Sequence, residues 1–454
     1  MISFHYENAL AGRVGAEHGL DEADFERGLE QARPLCRRFA ADAAAGAHGF
    51  MTLPGRPGPA REIRAWAGER RGAFRNFVQI GIGGSALGAI ALHGALSHRF
   101  HNLLADPDRG VAPRFHVLDN VDPEETQALF ELLDPKTTLY HVVTKSGDTT
   151  ETMAGFLPVL ERLKAALGEQ WRQNLVVTTD PAKGFLRDFA RREQVRAFDL
   201  PEAVGGRFSV LTPVGLVPAA VLGIDPEELL AGAAEEDARA RREDPRANPA
   251  CLFALLAQLL DSKRGKRIHV LMPYSRALRD LADWFRQLWA ESLGKNPRTG
   301  PTPVFALGTT DQHSQVQLYA EGPNDKFIVF MEVRRFRQEL VVPEALPAGA
   351  GPAFLQGRRF SEILGAMKAG TEQALTQANR PNATLRFDAI SARTIGAAFY
   401  LFEAATLYAG WLYGVNPFDQ PGVEAGKKAA FALLGRPGFA APPRPAPDPR
   451  YEAR

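Results

Sequence analysis

The stretch VVTKSGDTTET, residues 142–152, sets the hydroxyls of Thr144, Ser146, Thr149, Thr150 and Thr152 around Gly147, with Lys145 as a cation. Two β-branched apolar residues precede the turn and helical patterning follows it, so it reads as the carboxyl end of a strand meeting the start of a helix. Unpaired helix N–H groups, neutral hydroxyls and an ammonium together suit a phosphate dianion. An N-cap with a serine/threonine turn is the alternative, but five hydroxyls within nine residues exceed what capping needs. A second turn, GIGGSALG at 81–88, follows the apolar run FVQI. Gly81-x-Gly83-x-x-Ala86 fits a relaxed dinucleotide fingerprint, a weak match that says anion without saying which. A strand-to-helix turn that merely requires glycine explains it too. No G-x-x-x-x-G-K-[ST] sequence occurs around 142–152, which leaves a monophosphate as the simpler ligand.

Groups that move protons lie elsewhere. In LADWFRQLWAESLGKN, residues 281–296, Leu281, Phe285 and Leu288 trace one helical face with Leu278, and Trp284, Gln287 and Glu291 fall together beside it. Glu291 stands in the last turn ahead of Gly294, a residue type suited to ending a helix. Taken alone, it is a solvated glutamate on an amphipathic helix. His313 in GTTDQHSQ and Lys427 in VEAGKK have structural readings of the same kind. Arg207, flanked by glycine and serine in GGRFS, is a cation that can face an anion or an enolate.

The elements that must position these residues alternate strand, turn and helix. Apolar runs at 77–80, 115–120, 139–144 and 174–180 each lead into a Gly/Ser/Thr or Asp/Pro turn and then a helical pattern. That rhythm predicts βαβ units and a parallel sheet flanked by helices. A second series follows the charged run 234–246, with strands at 267–275, 302–308 and 326–333 and a helix over 277–292. Two α/β sheets of related design, joined near 228–249, are the expected architecture. The apolar segment 394–413 has Glu403 as its single charge and reads as a buried core helix, since a central carboxylate is expensive in lipid. The tail APPRPAPDPR, 441–450, reads as extended or disordered.

Of 454 residues, 54 are Lys or Arg and 53 are Asp or Glu, for a formal net charge of +1. That balance gives no reason to expect nucleic acid or an acidic membrane as partner. Cys36 and Cys251 are the two cysteines, in no metal-ligand spacing, so neither a disulfide scaffold nor a zinc site is expected. The start MISFHYENALAGRVG lacks the pattern of a signal peptide. These features suit a reducing compartment, and the chain reads as cytoplasmic.

GIGGSALG, TKSGDTTET, GGRFS, AESLGKN, GTTDQHSQ and VEAGKK occur in this order, and the set resembles the phosphoglucose isomerase family over about 78–428. The resemblance implies two sugar-isomerase (SIS) domains, each a mostly parallel sheet flanked by helices, over 51–233 and 234–440, the latter with C-terminal helices. An N-terminal helical arm over 1–50 and the proline-rich tail over 441–454 would complete the chain. It implies interconversion of glucose 6-phosphate and fructose 6-phosphate through a cis-enediolate, without metal or nicotinamide, in a homodimer. Carried over by motif, Gly84, Ser85, Lys145, Ser146, Gly147, Asp148, Thr149, Thr150 and Thr152 would hold the phosphate, and Gln287 the sugar. Glu291 would move the proton between C2 and C1, and Arg207 would stabilise the enediolate. Lys427 and His313 would open the ring, His313 coming from the neighbouring subunit.

Overall fold

The strands form where β-branched and aromatic residues run together. In the computed structural model, which describes residues 1–347, 349–440, 448 and 450, ten strands build two five-stranded sheets. β1 is Ile2–His5. The first sheet takes β2 (Asn76–Ile80), β3 (Arg114–Leu118), β4 (Thr138–Thr144), β5 (Leu175–Thr179) and β6 (Arg196–Asp199), in the order β3-β2-β4-β5-β6 and wholly parallel. Every residue of β2, β4 and β5 is buried, as continuous apolar runs in a sheet covered on both faces require.

The second sheet takes β7 (Ile268–Pro273), β8 (Thr302–Phe305), β9 (Lys326–Arg335) and β10 (Asn382–Ala389), ordered β1-β10-β9-β7-β8. Its core pairings are parallel, and β1 closes one edge antiparallel to β10. Here the structure departs from the expected arm: only part of 1–50 is helical, and its first strand belongs to the second sheet. Alternation explains why, since Ile2 is buried and Phe4 packs 5.8 Å from Phe253. The helix Glu22–Ala45 starts on Asp21, which accepts from the Asp24 amide at 2.7 Å, and stops at left-handed Gly46.

The two sheets share apolar packing. One cluster runs from Phe77 and Phe198 through Phe208, Leu229, Phe253 and Phe285 to Phe399 and Phe387. The charged run at 234–246 is no solvated joint: 233 and 234 lie inside the continuous helix Pro226–Ala240, and both Glu236 and Asp237 are buried. The helix Ala392–Tyr413 packs against it and is long and apolar enough to cross a membrane, but 89% of its apolar window is buried within the fold. Of the proline-rich tail, all but Asp448 and Arg450 lies outside the described residues.

Candidate active site

β2 and β4 lie side by side with Ile80 opposite Val142, so the turns that follow them emerge together at the carboxyl edge of the sheet. In the turn after β4, Thr144 Oγ1 lies 2.7 Å from Thr149 Oγ1, and Ser146 Oγ lies 3.2 Å from it. Gly147 takes a φ of +78°, and a Cβ there would come within 2.9 Å of Gly184 Cα. The helix Thr150–Leu167 begins with no side-chain cap, so the hydroxyls do not serve as its N-cap and its first N–H groups point into the turn. Thr152 is buried, and its Oγ1 has no hydrogen-bond partner. This arrangement of donors suits an anion.

Two charged members of the turn are engaged elsewhere. Lys145 Nζ donates to the carbonyls of Glu202 at 2.8 Å and Val204 at 2.9 Å, which leaves one N–H for a ligand. Burial lowers its pKa from the usual lysine value. Asp148 pairs with Arg436 at 2.9 Å at the surface.

The turn after β2 is pressed against its neighbours. A Cβ on Gly84 would meet the Gly206 carbonyl at 2.2 Å, and this glycine therefore brings Ser85 beside the turn that carries Arg207. Gln79, polar within an apolar strand, donates to the Ser85 carbonyl at 2.6 Å and holds the turn from below. A glutamine inside the apolar run FVQI is the signal that marks it in the sequence.

The helix Arg279–Leu293 packs against the turn after β2 and the turn that carries Arg207. Gln287 lies against Gly83 and donates to Glu291 Oε2 at 3.1 Å. Glu291 Oε1 is 3.4 Å from Arg207 Nη1. The guanidinium is buried, donates four hydrogen bonds to the protein and pairs with Glu291. Nε donates to Ser292 Oγ at 2.7 Å, Nη1 serves Gln420 Oε1 at 3.1 Å and Glu291, and Nη2 serves the carbonyls of Pro417 and, at 3.0 Å, Asp419. Burial lowers its pKa while Glu291 and Asp419 oppose the shift. The sequence does not tie Ser292 or the carbonyls of Pro417 and Asp419 to Arg207, because they meet it only through the tertiary fold.

Two expected members stand apart from Glu291 within one chain. His313 is exposed in the turn Thr310–His313 and has no hydrogen bond or ion pair among the described residues. Its neighbour Gln312 donates to the Met367 carbonyl at 3.1 Å, which fastens the turn to the helix Phe360–Gln377. Lys427 projects from the exposed helix Glu424–Leu433 and pairs with Glu424 at 3.1 Å.

An uncharged donor cradle beside a carboxylate held by an amide and a guanidinium can bind a phosphate and move a proton at a neighbouring carbon. Known proteins agree with that chemistry. The family profile described as phosphoglucose isomerase matches residues 60–438. The chain is 47% identical over 428 residues to the glucose-6-phosphate isomerase of Carboxydothermus hydrogenoformans, covering 92% of each chain. It is 46% identical over 443 residues to that of Rubrobacter xylanophilus, covering 97% of this chain and 99% of the relative. Its fold superposes on the crystal structure of a hypothetical protein from Thermus thermophilus with a TM-score of 0.83 and 38% identity, over 96% of this chain and 100% of the other. A glucose-6-phosphate isomerase structure from Chlamydia trachomatis shares the fold at a TM-score of 0.78 and 23% identity, over 96% and 88%. The chain belongs to the phosphoglucose isomerase family.

Proposed function

We infer that the protein interconverts glucose 6-phosphate and fructose 6-phosphate, the aldose–ketose step shared by glycolysis and gluconeogenesis. The observation that carries this reading is Glu291, held between Arg207 at 3.4 Å and Gln287 at 3.1 Å, the latter lying against Gly83 in the turn after β2. In it, the phosphate sits against Gly84, Ser85, Ser146, Gly147, Thr149, Thr150 and Thr152, with the third N–H of Lys145 aimed inward. Asp148, tied to Arg436, shapes the turn rather than meeting a dianion. Anchoring the remote phosphate fixes C1 and C2 against the carboxylate.

Glu291 takes the proton from C2 of the open-chain aldose; the C–H electron pair becomes the C1–C2 double bond, and negative charge passes to O1. As Glu291 becomes neutral it needs its guanidinium partner less, so Arg207 Nη1 can turn toward the enediolate oxygen, where charge has just appeared. An interaction that strengthens as the charge moves stabilises the transition state over the ground state. A proton passes from O2 to O1 of the enediolate, Glu291 returns the C2 proton to C1, and the carbonyl forms at C2. Gln287 orients the carboxylate and reaches a sugar hydroxyl through its buried, unpartnered Oε1, turning its amide as needed.

Ring opening falls to Lys427 and to His313 supplied by the other subunit of a homodimer. The exposed, unpartnered state of His313 supports that assignment, as do the exposed Phe360 and Met367, 52% and 48% accessible on the helix its turn is fastened to. Free, buried Cys36 and Cys251 accord with a cytoplasmic setting. A coupled assay with glucose 6-phosphate, and mannose 6-phosphate as comparator, tests the reading. Formation of fructose 6-phosphate is expected, and its absence would refute the assignment.

A further inference from the structure

The helix that carries Gln287 and Glu291 ends at Leu293, and Lys295 follows it with a side chain only 10% exposed. Its ammonium donates to the Asp419 carbonyl and pairs with Asp419 Oδ1 at 3.0 Å. The same carbonyl accepts from Arg207 Nη2 at 3.0 Å, and Asp419 Oδ2 accepts from Asn416 Nδ2 at 3.0 Å. The hydrogen bond from Lys295 holds the Asp419 carboxyl below its usual range. Residues 415–420 belong to no helix or strand, so side chains must hold this backbone in place. Phe418 does so from one side, stacked 4.7 Å from His48 and tilted against Phe208 at 5.1 Å. Arg207 and Lys295 do so from the other. Beyond Gln420 the chain passes through the turn Pro421–Val423 into the helix that bears Lys427.

The Asp419 carbonyl is therefore shared by the enediolate-facing arginine and by the residue that closes the helix of the base. A displacement of Asp419 is felt at once by the guanidinium, by Gln420 and by the 3.4 Å approach to Glu291.

We propose that Lys295 is a positioning residue. By gripping Asp419 it locks the 416–420 segment to the end of the Glu291 helix and sets where Arg207 and Gln420 stand relative to the carboxylate. Lys295 acts through Asp419 and has no contact with the phosphate turn. The proposal rests on the isomerase reading above.

Full-length Lys295→Met, Lys295→Arg, Asp419→Asn and the Lys295→Met/Asp419→Asn double variant are the test. Loosening a reacting geometry by a fraction of an ångström to an ångström lowers the Lys295→Met kcat by about 10- to 100-fold. KM for glucose 6-phosphate stays within about twofold of wild type, because the anchoring turn is intact. Lys295→Arg recovers most of kcat, and the double variant is no worse than Lys295→Met, as expected of residues acting in one contact. A Lys295→Met kcat within about twofold of wild type overturns the proposal, as does full additivity in the double variant. Amide hydrogen exchange decides the matter even if the wild type proves not to be an isomerase. Lys295→Met, or Lys295→Arg/Asp419→Asn should the former not fold, must speed exchange over 416–428 and leave 142–152 unchanged. Unaltered exchange over 416–428 rules the clamp out.

Discussion

Thr152 Oγ1 is buried with no partner, and a hydroxyl left in that state costs about 1–3 kcal/mol unless a ligand satisfies it. The hydroxyls of Thr144, Ser146 and Thr149 at least have one another, so Thr152 is the sharpest sign that the turn expects an occupant. Thr152→Val keeps the shape and removes the hydrogen bond. KM for glucose 6-phosphate is expected to rise about tenfold, equivalent to ~1.4 kcal/mol, with kcat changed by less than about threefold. Steady-state kinetics check this, and an unchanged KM would return Thr152 to a packing role. Arg207 carries a different lesson at the same scale. Four hydrogen bonds tie it to the protein and Nη1 also pairs with Glu291 at 3.4 Å, so its value to an enediolate depends on that pairing weakening as Glu291 is protonated.

At the scale of elements, β2, β4 and β5 were legible because each is buried on both faces and therefore reads as a nearly unbroken apolar run. β6, with the sequence RAFD at an edge of the sheet, and β1, four residues long, carried no comparable signal. The six motifs found the two turns, Arg207 and the Glu291 helix. They carry no hint that the Pro417 and Asp419 carbonyls occupy Arg207, since backbone acceptors leave no mark on residue type. The helix Ala392–Tyr413 was recognised as a core element, and its Glu403 is 0% exposed with both carboxylate oxygens unpartnered. Burial pushes that carboxyl well above the usual range, so it is protonated in the fold. The unfolded chain ionises it above about pH 4.5, and the fold is therefore increasingly penalised as pH rises beyond that point. Glu403→Leu is expected to raise stability by about 1–3 kcal/mol, more at pH 8 than at pH 5. Urea denaturation at the two pH values measures it, and a pH-independent or negative change would contradict the account.

For the whole molecule, acid sensitivity follows from the buried His141 and His269 and the half-buried His93. His93 and His269 are lowered to about 4 and His141 to about 3, each mainly by burial. All three are neutral in the fold, while the unfolded chain protonates them below about pH 6.5. Their contribution is fully present above pH 6.5 and is lost as pH falls toward 4. The melting temperature is expected to decline steadily through that window, and a flat profile between pH 6.5 and 4.5 would count against it. The second molecular prediction concerns assembly. His313→Ala and Glu291→Gln proteins, each inactive alone, should regain about a quarter or more of wild-type activity after their subunits are exchanged, if one site draws its histidine from the partner. No recovery in subunits shown to have mixed would place His313 within its own chain.

The central claim is that Glu291 carries the proton between C2 and C1. The most direct measurement follows glucose 6-phosphate by proton NMR in heavy water with wild type and Glu291→Gln. Wild type is expected to yield fructose 6-phosphate and to replace the C2 proton of glucose 6-phosphate with deuterium. The variant should lose about 10²- to 10⁴-fold or more of both rates while still binding the phosphosugar. Exchange at the wild-type rate in Glu291→Gln would contradict the account.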